Sequence, residues 1–193
     1  MGLEGFEKEI PSIYLEASPS QRLALLQGLL DTDGAVQKNG SVSYCSPGLE
    51  LAEGVQHLVR SLGGIAALRS KPTQYAHNAG AENDQVLHEV DIRFKKPSSL
   101  FRLPGKKDRT NDDIQYAKDL KLRVTNIVPI DIDEAVCISI DHPSKLYVAE
   151  GFIATHNTFC ALQAVANLGL RTAIIVKSMY IEKWVADVQK TFD

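Results

Sequence analysis

The sequence predicts an α+β fold laid out in three stretches, and three observations carry that prediction. A helical segment ending in two aspartates leads into alternating strand and helix patterns. A set of β-branched segments separated by acidic and Pro-containing turns follows, and the chain closes on helix, strand and helix spacing. With 44% hydrophobic and 23% charged residues, the 193-residue chain has the composition of a folded globular protein, which excludes global disorder. No apolar run approaches the roughly 20 residues that span a bilayer. The first residues lack the basic start and apolar core of a signal peptide, so the expectation is a cytoplasmic protein with no membrane partner. Three cysteines, Cys45, Cys137 and Cys160, are an odd number without metal-site spacing, so any special cysteine acts as a thiol. The net charge of −3 does not point to nucleic acid, although Lys95, Lys96, Arg102, Lys106, Lys107 and Arg109 gather positive charge locally.

The first strong element starts at Ser20, a capping residue ahead of helix formers that run to a terminal Gly34. Leu23, Leu26 and Leu30 form one stripe and Leu25 and Leu29 another, so this helix is expected to be buried between two bodies. Gly28 sits mid-helix at a cost of about 1 kcal/mol against Ala, which makes sense where a second helix approaches closely. Asp31 and Asp33 lie at the negative end of the helix dipole, where carboxylates are unfavourable and a divalent cation would relieve them. Downstream, residues 42–46 read as a strand and 49–62 as an amphipathic helix. Residues 65–74 and 86–94 read as two more strands joined by an exposed loop at 78–84.

The string Leu26-Gln-Gly-Leu-Leu-Asp-Thr-Asp-Gly34 resembles the LAGLIDADG motif of homing endonucleases. The resemblance implies half of that fold, with helices on a curved antiparallel sheet. Two such helices pack together in the family, and the last aspartate of each binds catalytic Mg²⁺. Asp33 is then the metal ligand, with Asp31 beside it belonging more to the helix end. The curved sheet would lie in the major groove of double-stranded DNA. Arg69, Lys71, Gln74, Arg93 and Lys95 are candidate contacts, and Lys71 is a candidate for assisting the attacking water. One acidic helix is present, so the second must come from a partner or from sequence upstream.

Residues 121–130, 134–141 and 145–149 read as strands, and they lead to His156-Asn157-Thr158. That ending resembles the C-terminal splice junction of an intein, whose all-β Hint domain excises itself. The resemblance implies that Thr158 attacks an ester or thioester made at the upstream junction. Asn157 then cyclises onto its own carbonyl, and His156 handles the proton. Cys137 matches the family's Asp or Cys in the strand before the junction. Splicing needs neither metal nor ATP. Lys145 stands where many relatives have a histidine. The family's first nucleophile and its Thr-x-x-His segment are missing, so the chain is expected to be a C-terminal intein piece, either a natural split half that splices with an N-terminal intein half or a fragment whose upstream sequence is missing.

Past the junction, Phe159, Leu162, Val165 and Leu168 keep helical spacing, residues 172–176 read as a buried strand, and Ile181, Trp184, Val185, Val188 and Phe192 form a second stripe. This segment resembles the start of a superfamily 2 helicase just past its phosphate loop. It implies a C-extein in which Thr158 would join the site for ATP and Mg²⁺ after splicing. The expected domains are 1–110, 111–157 and 158–193. The alternatives are a free-standing dimeric endonuclease with a degenerate splicing region and an inactive relic that binds its partner half.

Overall fold

The acidic helix begins two residues earlier than the sequence suggested, because the better cap lies upstream. In the computed structural model, Ser18 forms a capping box with Gln21: the Ser18 hydroxyl accepts from the Gln21 N–H and the Gln21 side chain accepts from the Ser18 N–H. Pro19 takes the first helical position, where its missing N–H costs nothing. The structure describes residues 7–73, 85–114, 120–122, 126, 140–144, 146–155 and 181–192. The chain divides into two units, Met1–Lys121 and Leu122–Asp193.

In the first unit a short helix α1 (Ser12–Leu15) precedes the acidic helix α2 (Pro19–Asp33). Strands β1 (Gly34–Val36) and β2 (Val42–Ser46) follow, then helix α3 (Leu49–Ser61) and strands β3 (Ile65–Thr73) and β4 (Gln85–Arg93). A 3₁₀ turn (Pro97–Leu100) and the short helix α4 (Pro104–Lys107) complete it. All four strands are antiparallel, in the order β1-β2-β4-β3. Strand β1, too short to leave an alternating pattern, was not legible in the sequence. The expected loop at 78–84 and candidate contact Gln74 lie outside the described residues.

Helix α3 buries Ala52, Val55, Leu58 and Val59, one stripe at helical spacing, against the sheet. Its end is a Schellman turn: Gly63 is left-handed at φ 84°, its N–H donates to Arg60 O, and Gly64 N–H donates to Val59 O. The core beneath both helices joins Leu26 and Leu30 of α2 to Val42, Tyr44, Val90 and Ile92 of the sheet, and Leu100 and Phe101 close it at one end. Since Tyr44, Val90 and Ile92 face this core, strand alternation turns Ser43, Cys45, Glu89 and Asp91 to the other side.

Gly34 does not end α2 by adopting the left-handed conformation. It is extended (φ −74°, ψ 146°) and already pairs with Tyr44 in the sheet. A Cβ there would lie 2.5 Å from Leu30 O, so only glycine lets the chain leave the helix and enter the strand at once.

In the second unit, strands β5 (Tyr147–Ala149) and β6 (Ile153–Thr155) form an antiparallel hairpin. Its turn carries two left-handed residues, Gly151 (φ 71°) and Phe152 (φ 62°). Helix α5 (Ile181–Phe192) is where the tail's second stripe was expected, and two members of that stripe, Ile181 and Val185, are each 51% exposed. Among the described residues no helix is long and apolar enough to cross a membrane.

Candidate functional site

Two features of the first unit have the makings of a site, and the carboxyl end of α2 is the more constrained. Asp31 and Asp33 have different roles there. The Asp31 carboxylate accepts from the backbone N–H groups of Arg102 and Leu103 at 3.2 Å each, which ties the 97–107 segment to the helix. Gln27, one turn earlier, reinforces the clamp: its amide donates to Ser99 O at 2.8 Å and accepts from Arg102 Nε at 2.8 Å. Asp33 is exposed, and among the described residues its carboxylate accepts one hydrogen bond, from the adjacent Thr32 hydroxyl at 3.3 Å.

The charge conflict at this helix end is relieved by a residue the motif gave no reason to select. Lys106 places its ammonium on three carbonyls of the turn, donating to Leu30 O, Thr32 O and Gly34 O at 2.9, 3.1 and 2.7 Å. A cation on the terminal carbonyls offsets the negative end of the dipole. The signal lay in the basic run at 106–107, but nothing local says that a segment more than 70 residues downstream returns to this helix.

The Asp33 charge also reaches the core. The Tyr44 phenol, 1% exposed, is pushed up to about 12 by burial first and by Asp33 second, so it stays neutral at physiological pH.

The second feature is the sheet face opposite the helices. Arg69, Lys71 and Arg93 alternate onto it from β3 and β4, as expected, and Lys95 is exposed just past β4. They are not alone: Arg69 Nη1 lies 3.3 Å from Asp91 Oδ2, and Lys71 Nζ lies 2.5 Å from Glu89 Oε2. Half-buried Cys45 stands opposite Glu89, and its thiol is pushed up by burial and then by the Glu89 charge. Ser43, opposite Asp91 and 3% exposed, has a buried hydroxyl with no hydrogen-bond partner among the described residues.

Helices over a four-stranded antiparallel sheet, with an exposed aspartate where α2 enters the sheet, define the region's architecture. Residues 20–93 match the family model described as a LAGLIDADG-like domain. The chain is also 28% identical over 188 residues to a replicative DNA helicase DnaB of Mycobacterium intracellulare. That likeness covers 91% of this chain and so extends well beyond the LAGLIDADG-like domain, but it spans only 30% of the relative's length.

The donor set around Asp33 suits Mg²⁺ only as part of a site. Among the described residues no group of three His, Cys, Asp or Glu side chains could hold a metal ion. Mg²⁺ is commonly held by one or two carboxylates together with substrate phosphates, and Asp33 can supply one such carboxylate. The Asp31 carboxylate already serves two backbone donors, and Lys106 occupies the nearby carbonyls. Cys137, His156, Asn157 and Thr158 lie outside the described residues.

Proposed function

We propose that the chain is the C-terminal part of an intein hosted by a helicase, and that it carries half of a Mg²⁺-dependent homing endonuclease. The observation that supports this reading best is the likeness to a DNA helicase running through most of the chain, LAGLIDADG-like region included. Conventional helicase activity would not need an endonuclease-type domain, whereas an inserted self-excising element would bring one.

In the endonuclease half, Asp33 would be the metal ligand and a second acidic helix would pack along α2. The exposed Gly28 supports that packing: an added Cβ there would meet no described atom within 4 Å, so nothing within the described fold repays its cost of about 1 kcal/mol. Bound Mg²⁺ would supply charge neutralisation at the scissile phosphate and a more acidic water. Lys106 holds the turn that presents Asp33, and the sheet face with Arg69, Lys71 and Arg93 would contact duplex DNA. Lys71 would have to leave Glu89 before assisting a water, while Lys106 supplies a cation beside Asp33.

In splicing, the Asn157 side-chain nitrogen would attack the Asn157 carbonyl carbon. The peptide bond to Thr158 breaks, the amine leaves with a proton from His156, and a succinimide remains. Before that step, Thr158 Oγ would take the acyl group from the upstream junction, with Cys137 assisting there. After release, the freed Thr158 amine would take the acyl group from its own Oγ, restoring the hydroxyl and forming the peptide bond that joins the host segments, and Thr158 would then enter the host's ATP and Mg²⁺ site.

The test is to supply an N-terminal intein half and follow products by mass spectrometry. Ligated host and free intein are expected, with release of the segment after residue 157 abolished by Asn157→Ala. An unchanged chain in both would end the splicing reading. Mg²⁺-dependent DNA cleavage by a dimer of this chain alone, lost in Asp33→Asn, would replace it with the free-standing endonuclease.

A further inference from the structure

We propose that Glu89 and Asp91 determine the base preference of the open sheet face, by holding Lys71 and Arg69 until cytosine amino groups in a DNA major groove take over the carboxylates. The inference rests on the proposed reading of this face as a duplex-binding surface.

Both ion pairs have the same geometry. Lys71 stands opposite Leu87 but reaches Glu89, two residues on; Arg69 stands opposite Glu89 but reaches Asp91, again two residues on. Two parallel diagonals therefore repeat about 7 Å apart along the strands, at about 3.4 Å per residue. Two base-pair steps of B-DNA cover the same distance, since the rise is about 3.4 Å per base pair.

Fold stability gives little reason for the arrangement. The side chains are 64% and 41% exposed in the Arg69–Asp91 pair and 57% and 20% in the Lys71–Glu89 pair, and such surface pairs contribute little. On a surface that meets phosphates, two carboxylates lower affinity for every sequence. They are useful where the ligand offers hydrogen-bond donors, and among the bases facing the major groove cytosine N4 is the partner of Glu and Asp, while Arg and Lys pair with guanine O6 and N7. A G·C pair offers both, so it can accept a diagonal's cation and carboxylate together. An A·T pair also offers a donor, adenine N6, but it lacks the guanine O6/N7 edge that holds Arg or Lys, so the cation is drawn away less and the ion pair stays closed. Ser43 is the register partner of Asp91, and its buried hydroxyl, unpartnered among the described residues, would be a donor on the neighbouring strand as Arg69 moves to DNA.

The test uses the full chain and the isosteric Glu89→Gln/Asp91→Asn variant, with thermal melting to verify folding. One probe is a mixed-sequence 30-base-pair duplex read by fluorescence anisotropy across a salt series. The other is a randomised duplex library sequenced after selection. The variant is expected to bind the mixed duplex about tenfold or more tightly, with a salt slope steeper by up to about 2 for two freed cations, and to lose the enrichment of G·C pairs two steps apart that the unaltered chain shows. If the variant does not fold, single Glu89→Gln and Asp91→Asn chains carry the test, each expected to lose enrichment at one position. Duplex binding with affinity and base preference unchanged by the substitutions overturns this inference alone. Absence of salt-dependent duplex binding by every chain overturns it together with the DNA-binding reading beneath it.

Discussion

The carboxyl end of α2 and the open face of the sheet both gather charged side chains, yet they are held in opposite ways. At the helix end the bonds run from side chain to backbone: Lys106 to three carbonyls and Asp31 to two N–H groups. On the sheet face they run from side chain to side chain, between cations open to water and carboxylates that are partly so. A backbone partner cannot rotate away, so the first arrangement fixes geometry. A solvated ion pair exchanges readily with water or a ligand, so the second leaves its members available. Asp33, two residues past Asp31 and flanked by carbonyls that Lys106 holds, combines both: a rigid base and an open carboxylate.

That contrast can be broken experimentally, and Lys106 gives the largest effect. Lys106→Met is expected to destabilise the first unit by about 2 kcal/mol, since charged hydrogen bonds to part-buried carbonyls are lost; urea denaturation measures it. Asp31→Ala is expected to cost about 1 kcal/mol in the same assay because two backbone donors lose their acceptor, whereas Asp33→Asn leaves the midpoint unchanged. Equal effects of the two aspartates would remove the distinction between clamp and ligand.

Tyr44 links the helix end to the core by its titration. Its phenol ionises near 10 when unfolded and at about 12 when folded, so the folded state keeps the proton longer. The stability this gives is intact below pH 10 and falls as pH climbs from 10 towards 12. Tyr44→Phe should flatten that decline in chemical-denaturation measurements, and Asp33→Asn should lower the phenol's ionisation point.

On the sheet face the expected effects are smaller in energy. Cys45 should alkylate more slowly than an unperturbed cysteine at the same pH, and Glu89→Gln should speed it by removing a charge that opposes thiolate formation; peptide mapping after iodoacetamide treatment reads the site. Arg69→Ala should change folding stability by no more than about 0.5 kcal/mol. A loss as large as that of Lys106 would show that the diagonals are structural and not exchangeable.

Much of the domain was legible in the chain itself. Leu26, Leu30 and the α3 stripe announced their buried faces because helical periodicity is a local property, and the aspartates ending α2 marked the candidate site. The cap was misplaced by two residues because Ser18 and Ser20 are both good caps, and the Gln21 that decides between them is a weaker signal than its partner serine. Strand β1 was missed because three residues cannot show a period of two.

Residue chemistry and local periodicity were enough to show which side chains are acidic, basic or apolar, and which helix and strands present them at regular intervals. Packing alone settles that Lys106 closes the end of α2, that Asp31 is engaged while Asp33 is open, and that Arg69 and Lys71 each lean on a carboxylate of β4. The physical reason is separation along the chain. Periodicity and capping act over a few residues, whereas these bonds join groups 18 to 76 positions apart, and their pairing follows from sheet register and from where the 97–107 segment packs.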